Sequence, residues 1–239
     1  MIMNQKLDAH RLPECAGLIV GGGLGSRFGG DKLTVAVAGK PLLAWSLLAF
    51  EHAPEITAIV LVAPFGRSDE FNDIARAAGI SKLAAVVTGG SKRHESVING
   101  LAALSSNIEL VAIHDAARPL VTPSLIKRCL EVAAVSGAAV AATPVTDTLH
   151  QADREGCAVR TVDRTGLWAM QTPQVFRAVQ LAELLAGTKD EKPTDETSVA
   201  LAAGWRVPFV ENLQPNPKVT WQSDLPVAET LLLAATRSL

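Results

Sequence analysis

The residues best equipped for chemistry stand near the start of the chain, in Gly21-Gly22-Gly23-Leu24-Gly25-Ser26-Arg27-Phe28-Gly29-Gly30-Asp31-Lys32. A short apolar run, residues 16–20, leads into them. That is the pattern of a buried strand feeding a turn. Glycines allow positive φ and keep Cβ atoms out of the way, so successive N–H groups can converge on an anion such as a phosphate. Arg27 and Lys32 add fixed positive charge just beyond, which suits a polyphosphate whose charge is gathered and then redistributed. Two common phosphate motifs fail here. The dinucleotide fingerprint counted from Gly23 meets Phe28 at its third glycine, and counted from Gly21 it meets Ser26; the P-loop register from Gly25 meets Asp31 where lysine is required. The competing reading is a flexible turn carrying two surface cations.

Two more polar clusters follow apolar runs. Gly89-Gly90-Ser91-Lys92-Arg93-His94-Glu95-Ser96 is a second glycine turn. Its backbone groups and hydroxyls could read the small set of donors and acceptors on a pyrimidine edge; it also reads as a helix start with Ser91 as cap. His114-Asp115-Ala116-Ala117-Arg118-Pro119 separates a carboxylate from a guanidinium by two small residues and leaves room for a ligand. Asp115 can accept from sugar hydroxyls or stand near a metal, and Arg118 can donate to a polar substrate. The plainer alternative is a structural Asp–Arg pair. His114 reads as a packed, hydrogen-bonded residue rather than a base.

The elements that must hold these clusters follow from periodicity. Strands are expected over 16–20, 56–63, 83–88, 110–114 and 138–145. Helices are expected over 41–52, 68–78 (Ser68 as N-cap), 91–104 and 122–135. Alternation of this kind predicts an α/β fold, a single Rossmann-like doubly wound and mostly parallel sheet flanked by helices. In such sheets ligands bind beyond the carboxyl ends of the strands, where all three clusters stand. The rhythm breaks after Val145. Residues 147–164 read as two short strands about Asp153-Arg154-Glu155-Gly156, a hairpin with Gly156 as the turn glycine. A lone hairpin has little core of its own, so an arm at about 146–166 is expected to pack on a second copy. The plainer alternative is a mobile surface loop. Beyond it, 167–176 is extended and broken by Pro173, 179–185 and 197–203 are helical, 206–210 is a strand, 218–220 is extended, and 224–236 closes as an amphipathic helix. Residues 1–14 read as an N-terminal tail and 15–239 as one domain.

Composition narrows the classes. The 239 residues carry 22 Lys+Arg against 24 Asp+Glu, a net charge of −2. No global basic field exists for nucleic acid or an anionic membrane, so a phosphate site must be local. Three cysteines, far apart and without a Cys-x-x-Cys pair, support neither a zinc site nor a disulfide framework. The polar start is no signal peptide, no run is long enough to span a bilayer, and a cytoplasmic location is the expectation.

Taken together, Gly23-Leu24-Gly25-Ser26-Arg27, Gly89-Gly90 with Arg93 and Ser96, His114-Asp115-Ala116-Ala117-Arg118-Pro119, Pro144-Val145-Thr146-Asp147-Thr148, Val162-Asp163-Arg164, Leu167-Trp168, Thr172-Pro173-Gln174-Val175-Phe176, Thr194-Asp195-Glu196 and Lys218-Val219-Thr220 occur in one family's order. The chain resembles the 2-C-methyl-D-erythritol 4-phosphate cytidylyltransferases of the non-mevalonate isoprenoid pathway, from about residue 16 to the final helix. The resemblance implies transfer of a cytidylyl group from CTP to an alcohol phosphate with release of pyrophosphate. It also implies a homodimer in which each arm completes the other site, and Mg²⁺ or another divalent cation on the triphosphate. By that pattern Arg27, Lys32, Arg164 and Lys218 are the catalytic cations. Gly22, Gly23, Gly25, Gly90, Arg93, Ser96 and Asp115 would bind the nucleotide, with Gly90 and Ser96 recognising cytosine. Asp115, Arg118, Thr148, Arg164, Thr172 and Lys218 would line the alcohol-phosphate pocket. No protein metal ligand set is implied, Asp115 being the one candidate. The phosphate nucleophile is already ionised, so positioning and preorganised charge suffice without a general base. One departure is the link Phe28-Gly29-Gly30-Asp31, shorter than the family's and lacking its proline before the lysine; Asp31 is expected to offset part of the Lys32 charge. The rivals are the same chemistry on ribitol 5-phosphate, a sugar-1-phosphate uridylyltransferase, and a non-catalytic nucleotide sensor.

Overall fold

The structure is a computed structural model that describes residues 12–22, 28–188 and 194–236. Gly23, Gly25 and Arg27, with the roles expected of them, lie outside the described residues, as do residues 1–11 of the expected tail. In chain order the elements are β1 (Cys15–Val20), β2 (Ala36–Val37), β3 (Lys40–Pro41), α1 (Leu42–Glu51), β4 (Ile56–Ala63), α2 (Ser68–Ala77), β5 (Leu83–Thr88), α3 (Arg93–Ala102), β6 (Leu110–Asp115) and α4 (Pro123–Ser136). They continue with β7 (Ala138–Pro144), β8 (Leu149–Ala152), β9 (Ala158–Val162), β10 (Trp168–Arg177), α5 (Ala178–Gly187), α6 (Glu196–Ala202), β11 (Phe209–Glu211) and α7 (Asp224–Thr236).

Seven strands form one sheet in the order β11-β7-β10-β6-β1-β4-β5. All neighbours are parallel except β10, which runs antiparallel to both β6 and β7. The mostly parallel, doubly wound architecture is therefore as expected. Central β1 shows why its sequence is apolar without alternation. Cys15 and Ile19 join the layer built with α1, α2, α4 and α7; Ala16 and Leu18 join the layer built with α3, α5 and α6. A strand buried on both faces has no polar side to display. Close helix packing needs small residues: a Cβ on Gly17 would stand 2.4 Å from Phe50 of α1, and one on Gly100 of α3 would stand 2.3 Å from Leu18.

Local signals explain some boundaries and miss others. At α4 the Thr122 hydroxyl accepts from the Leu125 N–H at 3.2 Å, Pro123 opens the first turn, and Gly137 at φ 82 closes the helix. Such a cap stabilises by about 1 kcal/mol. Ser68, expected as an N-cap, is instead the first residue of α2, and Arg67 occupies the cap position without a side-chain capping bond. Ser91 does not cap α3 either. Its N–H and hydroxyl both donate to the Glu95 carboxylate at 2.8 Å, because Glu95 lies one turn inside the helix and reaches back. The tight β2–β3 hairpin was not expected. Its two turn residues, Ala38 and Gly39, take φ 47 and 80, and alanine carries no turn signal. The interruption expected at Pro173 takes the form of a cis Thr172–Pro173 peptide inside β10. The β10–β7 register shifts between Met170 and Gln174. Residues 218–220 form no strand, but the Val219 N–H donates to the Ala117 carbonyl at 2.9 Å, docking the segment beside the end of β6.

The arm is the antiparallel pair β8–β9. Gly156 takes φ 83 as expected. Asp153 does as much for the turn, since its Oδ1 accepts from the Glu155 and Cys157 N–H groups at 3.0 and 2.9 Å. Among the described residues no helix is long and apolar enough to cross a membrane.

Candidate active site

A cleft of about 620 Å³ opens where β1, β4, β5 and β6 end. Gly21 and Gly22 follow β1, Pro64 and Phe65 follow β4, the turn from Gly89 to Lys92 follows β5, and Asp115 closes β6. Lys32, Arg93, Lys218 and Thr220 complete its polar lining. Among the described lining residues the charged groups are Lys32, Lys92, Arg93 and Lys218 against Asp115. In a chain of net charge −2, this is the local concentration of positive charge that a polyphosphate requires.

The two glycine turns meet across Ser96. A Cβ on Gly22 would stand 2.9 Å from the Ser96 Oγ, and one on Gly89 would stand 2.8 Å from it. The hydroxyl accepts from the Gly90 N–H at 3.1 Å and donates to the Lys92 carbonyl at 3.2 Å. Ser96, 2% exposed, thus shapes the floor of the cleft by tying its turn together. The N–H of Gly90, a residue expected to help recognise cytosine, is engaged in that tie.

Asp115 is the electrostatic centre. Its Oδ2 receives Lys218 Nζ at 2.7 Å, and its Oδ1 faces Arg93 Nη2 and Nε at 3.3 and 3.4 Å. Arg118 Nε stands 4.0 Å from Oδ2. Burial disfavours the carboxylate, but Arg93, Lys218 and Arg118 overcome it and hold Asp115 well below the usual carboxylate range. Lys32 donates to the Val219 carbonyl at 2.8 Å, which brings it beside Lys218 although 187 residues separate donor and acceptor. Asp31 pairs with Arg67. Its carboxylate takes Arg67 at 2.6 Å, the Leu33 N–H at 3.1 Å and the Thr34 hydroxyl at 2.5 Å. Burial opposes the charged form there, and those bonds more than offset it, leaving Asp31 below its ordinary range. The Asp31 charge beside Lys32 is thus shared with Arg67, a partner the sequence expectation did not include.

The remaining expected residues fall into two groups. Arg118 and Thr172 lie behind the cleft and do not line it. The Arg118 guanidinium donates to the Asn216 carbonyl at 2.8 Å and the Met170 carbonyl at 3.3 Å. The Thr172 hydroxyl accepts from the Asp115 N–H at 3.1 Å and meets His114 Nδ1 at 2.9 Å. His114 Nε2 faces the Arg118 carbonyl at 3.1 Å. A carbonyl cannot donate, so Nε2 carries the proton and Nδ1 accepts from Thr172. His114 is wholly buried in this relay, as its reading as a packed residue predicts. Thr148 and Arg164 lie on the arm, exposed and away from the cleft lining of their own chain. Arg164 Nη1 donates to the Thr146 carbonyl.

Comparison with known proteins decides among the readings of this geometry. A family profile described as 2-C-methyl-D-erythritol 4-phosphate cytidylyltransferase matches residues 15–234. The chain belongs to that family. A protein of that name from Prochlorococcus marinus is 43% identical over 220 residues, covering 90% of this chain and 96% of its own. One from Thermosynechococcus vestitus is 38% identical over 222 residues, covering 90% and 94%. Among solved structures, the Thermus thermophilus 2-C-methyl-D-erythritol 4-phosphate cytidylyltransferase superimposes with TM-score 0.74 at 34% identity, covering 91% of this chain and 98% of that one. The 4-diphosphocytidyl-2C-methyl-D-erythritol synthase of Anaerococcus prevotii does so with TM-score 0.80 at 25% identity, covering 92% and 96%.

As a member of the cytidylyltransferase family the chain is an enzyme of the nucleotidyltransferase class, and its donor set bears on the divalent cation such enzymes use. Among the described residues no three His, Cys, Asp or Glu side chains gather as a cage. Both Asp115 oxygens are already occupied by cations. Of the described lining residues Asp115 is the one carboxylate, so protein oxygen ligands for an ion carried on substrate phosphates would come from there. Two features at the cleft have no role in the sequence reading. Phe65 is 90% exposed at its edge, and Glu196, quoted above only as part of a matching segment, reaches Arg93 from behind the lining and from 103 positions away.

Proposed function

We propose that the protein transfers a cytidylyl group from CTP to 2-C-methyl-D-erythritol 4-phosphate, forming 4-diphosphocytidyl-2-C-methyl-D-erythritol and pyrophosphate in isoprenoid biosynthesis. The observation that carries the reading is the convergence of Lys32 and Lys218 from opposite ends of the chain onto one cleft beside Asp115. An oxygen of the alcohol phosphate attacks the α-phosphorus of CTP. A new P–O–P bridge forms, the bond to the β-phosphate breaks, and its electron pair leaves with pyrophosphate. The nucleophile is anionic from the outset, so no base is required, and His114, buried and hydrogen-bonded at both nitrogens, is not placed to serve as one. What the chemistry needs is to hold two anions in line and to stabilise the charge spreading over the transferred group.

In this reading Lys32 and Arg27 act at the α-phosphate and the leaving group. Gly22, Gly90, Arg93, Ser96 and Asp115 form the nucleotide side of the cleft, together with Gly23 and Gly25. Lys218 stands where nucleotide and alcohol phosphate meet. A divalent cation, Mg²⁺ by the family pattern, would supply charge neutralisation on the triphosphate, with Asp115 the carboxylate among the described lining residues that could approach it. Arg118 and Thr172 fix the backbone beneath the alcohol phosphate. Thr148 and Arg164 serve the site of a second copy: the arm projects without a core of its own, and a homodimer joined through it would carry Arg164 to an incoming phosphate.

The test is a panel of polyol phosphates with CTP and Mg²⁺, read by pyrophosphate release. Methylerythritol phosphate is expected to be turned over with the highest kcat/KM. A wide preference for ribitol 5-phosphate would keep the chemistry and overturn the pathway, and no release with any member would overturn the reaction.

A further inference from the structure

Glu196 is the first residue of α6, yet it is 1% exposed. It does not line the cleft. Its Oε1 holds Arg93 Nη1 at 2.5 Å, and its Oε2 has no partner. A carboxylate in such a place is costly, and apolar packing would serve stability at least as well, so its retention calls for another reason. The neighbouring contacts supply one. Gln174 of β10, 2% exposed, donates to Asp195 Oδ2 at 2.8 Å and accepts from the Thr197 N–H and hydroxyl, both at 3.1 Å. It therefore pins the residues on either side of Glu196. From that anchored position Glu196 grips one edge of Arg93 tightly. The opposite edge, Nε and Nη2, meets Asp115 only at 3.4 and 3.3 Å. The short contact lies at the back and the long one at the front.

We propose that Glu196 is a positioning residue for the nucleotide site, holding the Arg93 guanidinium from behind so that its front edge can exchange Asp115 for CTP. Without that grip the guanidinium closes onto Asp115, displaces Lys218 from it, and withdraws a donor pair from the ligand. The inference rests on Arg93 belonging to the nucleotide side of the cleft, as proposed above.

The experiment measures CTP dissociation constants by calorimetry with Mg²⁺, and steady-state constants for both substrates, in the full chain and its variants. Glu196→Gln keeps the shape and removes the charge, so a charge-assisted bond becomes an ordinary one. The CTP dissociation constant and KM are expected to rise about tenfold, with kcat and the KM of the alcohol phosphate changing far less. Glu196→Asp keeps the charge but withdraws it by one methylene, and a smaller rise is expected. In an Arg93→Ala background, Glu196→Gln is expected to add nothing, since its effect passes through Arg93. Unchanged CTP affinity in both single variants overturns the proposal. So do additive effects in the Arg93→Ala background, or failure of both single variants to fold by circular dichroism, which would assign Glu196 to the fold alone. Wild-type protein that does not bind CTP sinks the functional reading and this inference together. Wild-type binding with both single variants unaffected sinks this inference only.

Discussion

His114 shows how a single side chain can serve the site without touching a ligand. Burial pushes its imidazole down from the ordinary 6.5 to about 4, because the charged form is cut off from water, and this outweighs the neighbouring Asp115 charge and the hydrogen bonds that favour it. The unfolded chain binds a proton near 6.5, whereas the folded chain waits until about 4. Across that window the unfolded state holds more protons, so stability falls as pH drops, by about 3 kcal/mol at the full span. The stability is complete above the upper limit. Chemical denaturation between pH 7 and 4 is expected to show this loss. His114→Gln should flatten the slope, and an equal slope in the variant would refute the assignment. Asp31 teaches the same lesson about neighbours. From sequence it compromises Lys32. In space Arg67, reaching across from the start of α2, takes its charge. Nothing in the local spacing marks that partner, 36 positions away.

At the scale of elements, what could be read from sequence was whatever is decided locally or by burial on two faces. Strands β1, β4 and β6 are legible because burial on both faces makes their runs almost wholly apolar, with polar residues confined to Thr57 in β4 and to His114 and Asp115 at the end of β6. Helix α4 is legible because Thr122, Pro123 and Gly137 punctuate it. The β2–β3 turn is not legible, because its left-handed first residue is an alanine. The α3 start is displaced because Glu95, not Ser91, satisfies the turn donors. The candidate site follows the same division. Glycine turns and strand ends identify Gly22, Gly89 and Asp115, but the pairings of Lys32 with Val219 and of Arg93 with Glu196 depend on how distant segments dock. Packing between elements yields its own prediction. Gly100 lets α3 lie against β1, and an alanine Cβ there would sit 2.3 Å from Leu18. Gly100→Ala is expected to lower stability by about 1–3 kcal/mol despite alanine's better helix propensity. Thermal unfolding measures it, and a variant as stable as wild type would show that α3 can shift at little cost.

For the whole molecule the central question is whether one chain makes one site. Arg27 and Arg164 are proposed to act from different copies. Mixing Arg27→Ala with Arg164→Ala protein, each inactive or nearly so alone, is therefore expected to restore activity toward about a quarter of the wild-type value at equal mixing, as half of the dimers are hybrids with one intact site each. Hybrids verified by mass spectrometry that remain inactive would show that each arm serves its own chain. The same preparation distinguishes loss of dimerisation from loss of chemistry, because sedimentation reads the former independently.

The reversal of β10 has one last consequence. Trp168 at its start pairs with Pro144 at the end of β7, so the chain leaves the sheet and re-enters it at the same margin, the one that also carries Asp115. Both feet of the protrusion are thus planted side by side on the reactive rim. Insertions or deletions between them leave the pairing of every core strand intact. The reach of the protrusion can therefore vary while the scaffold beneath stays fixed.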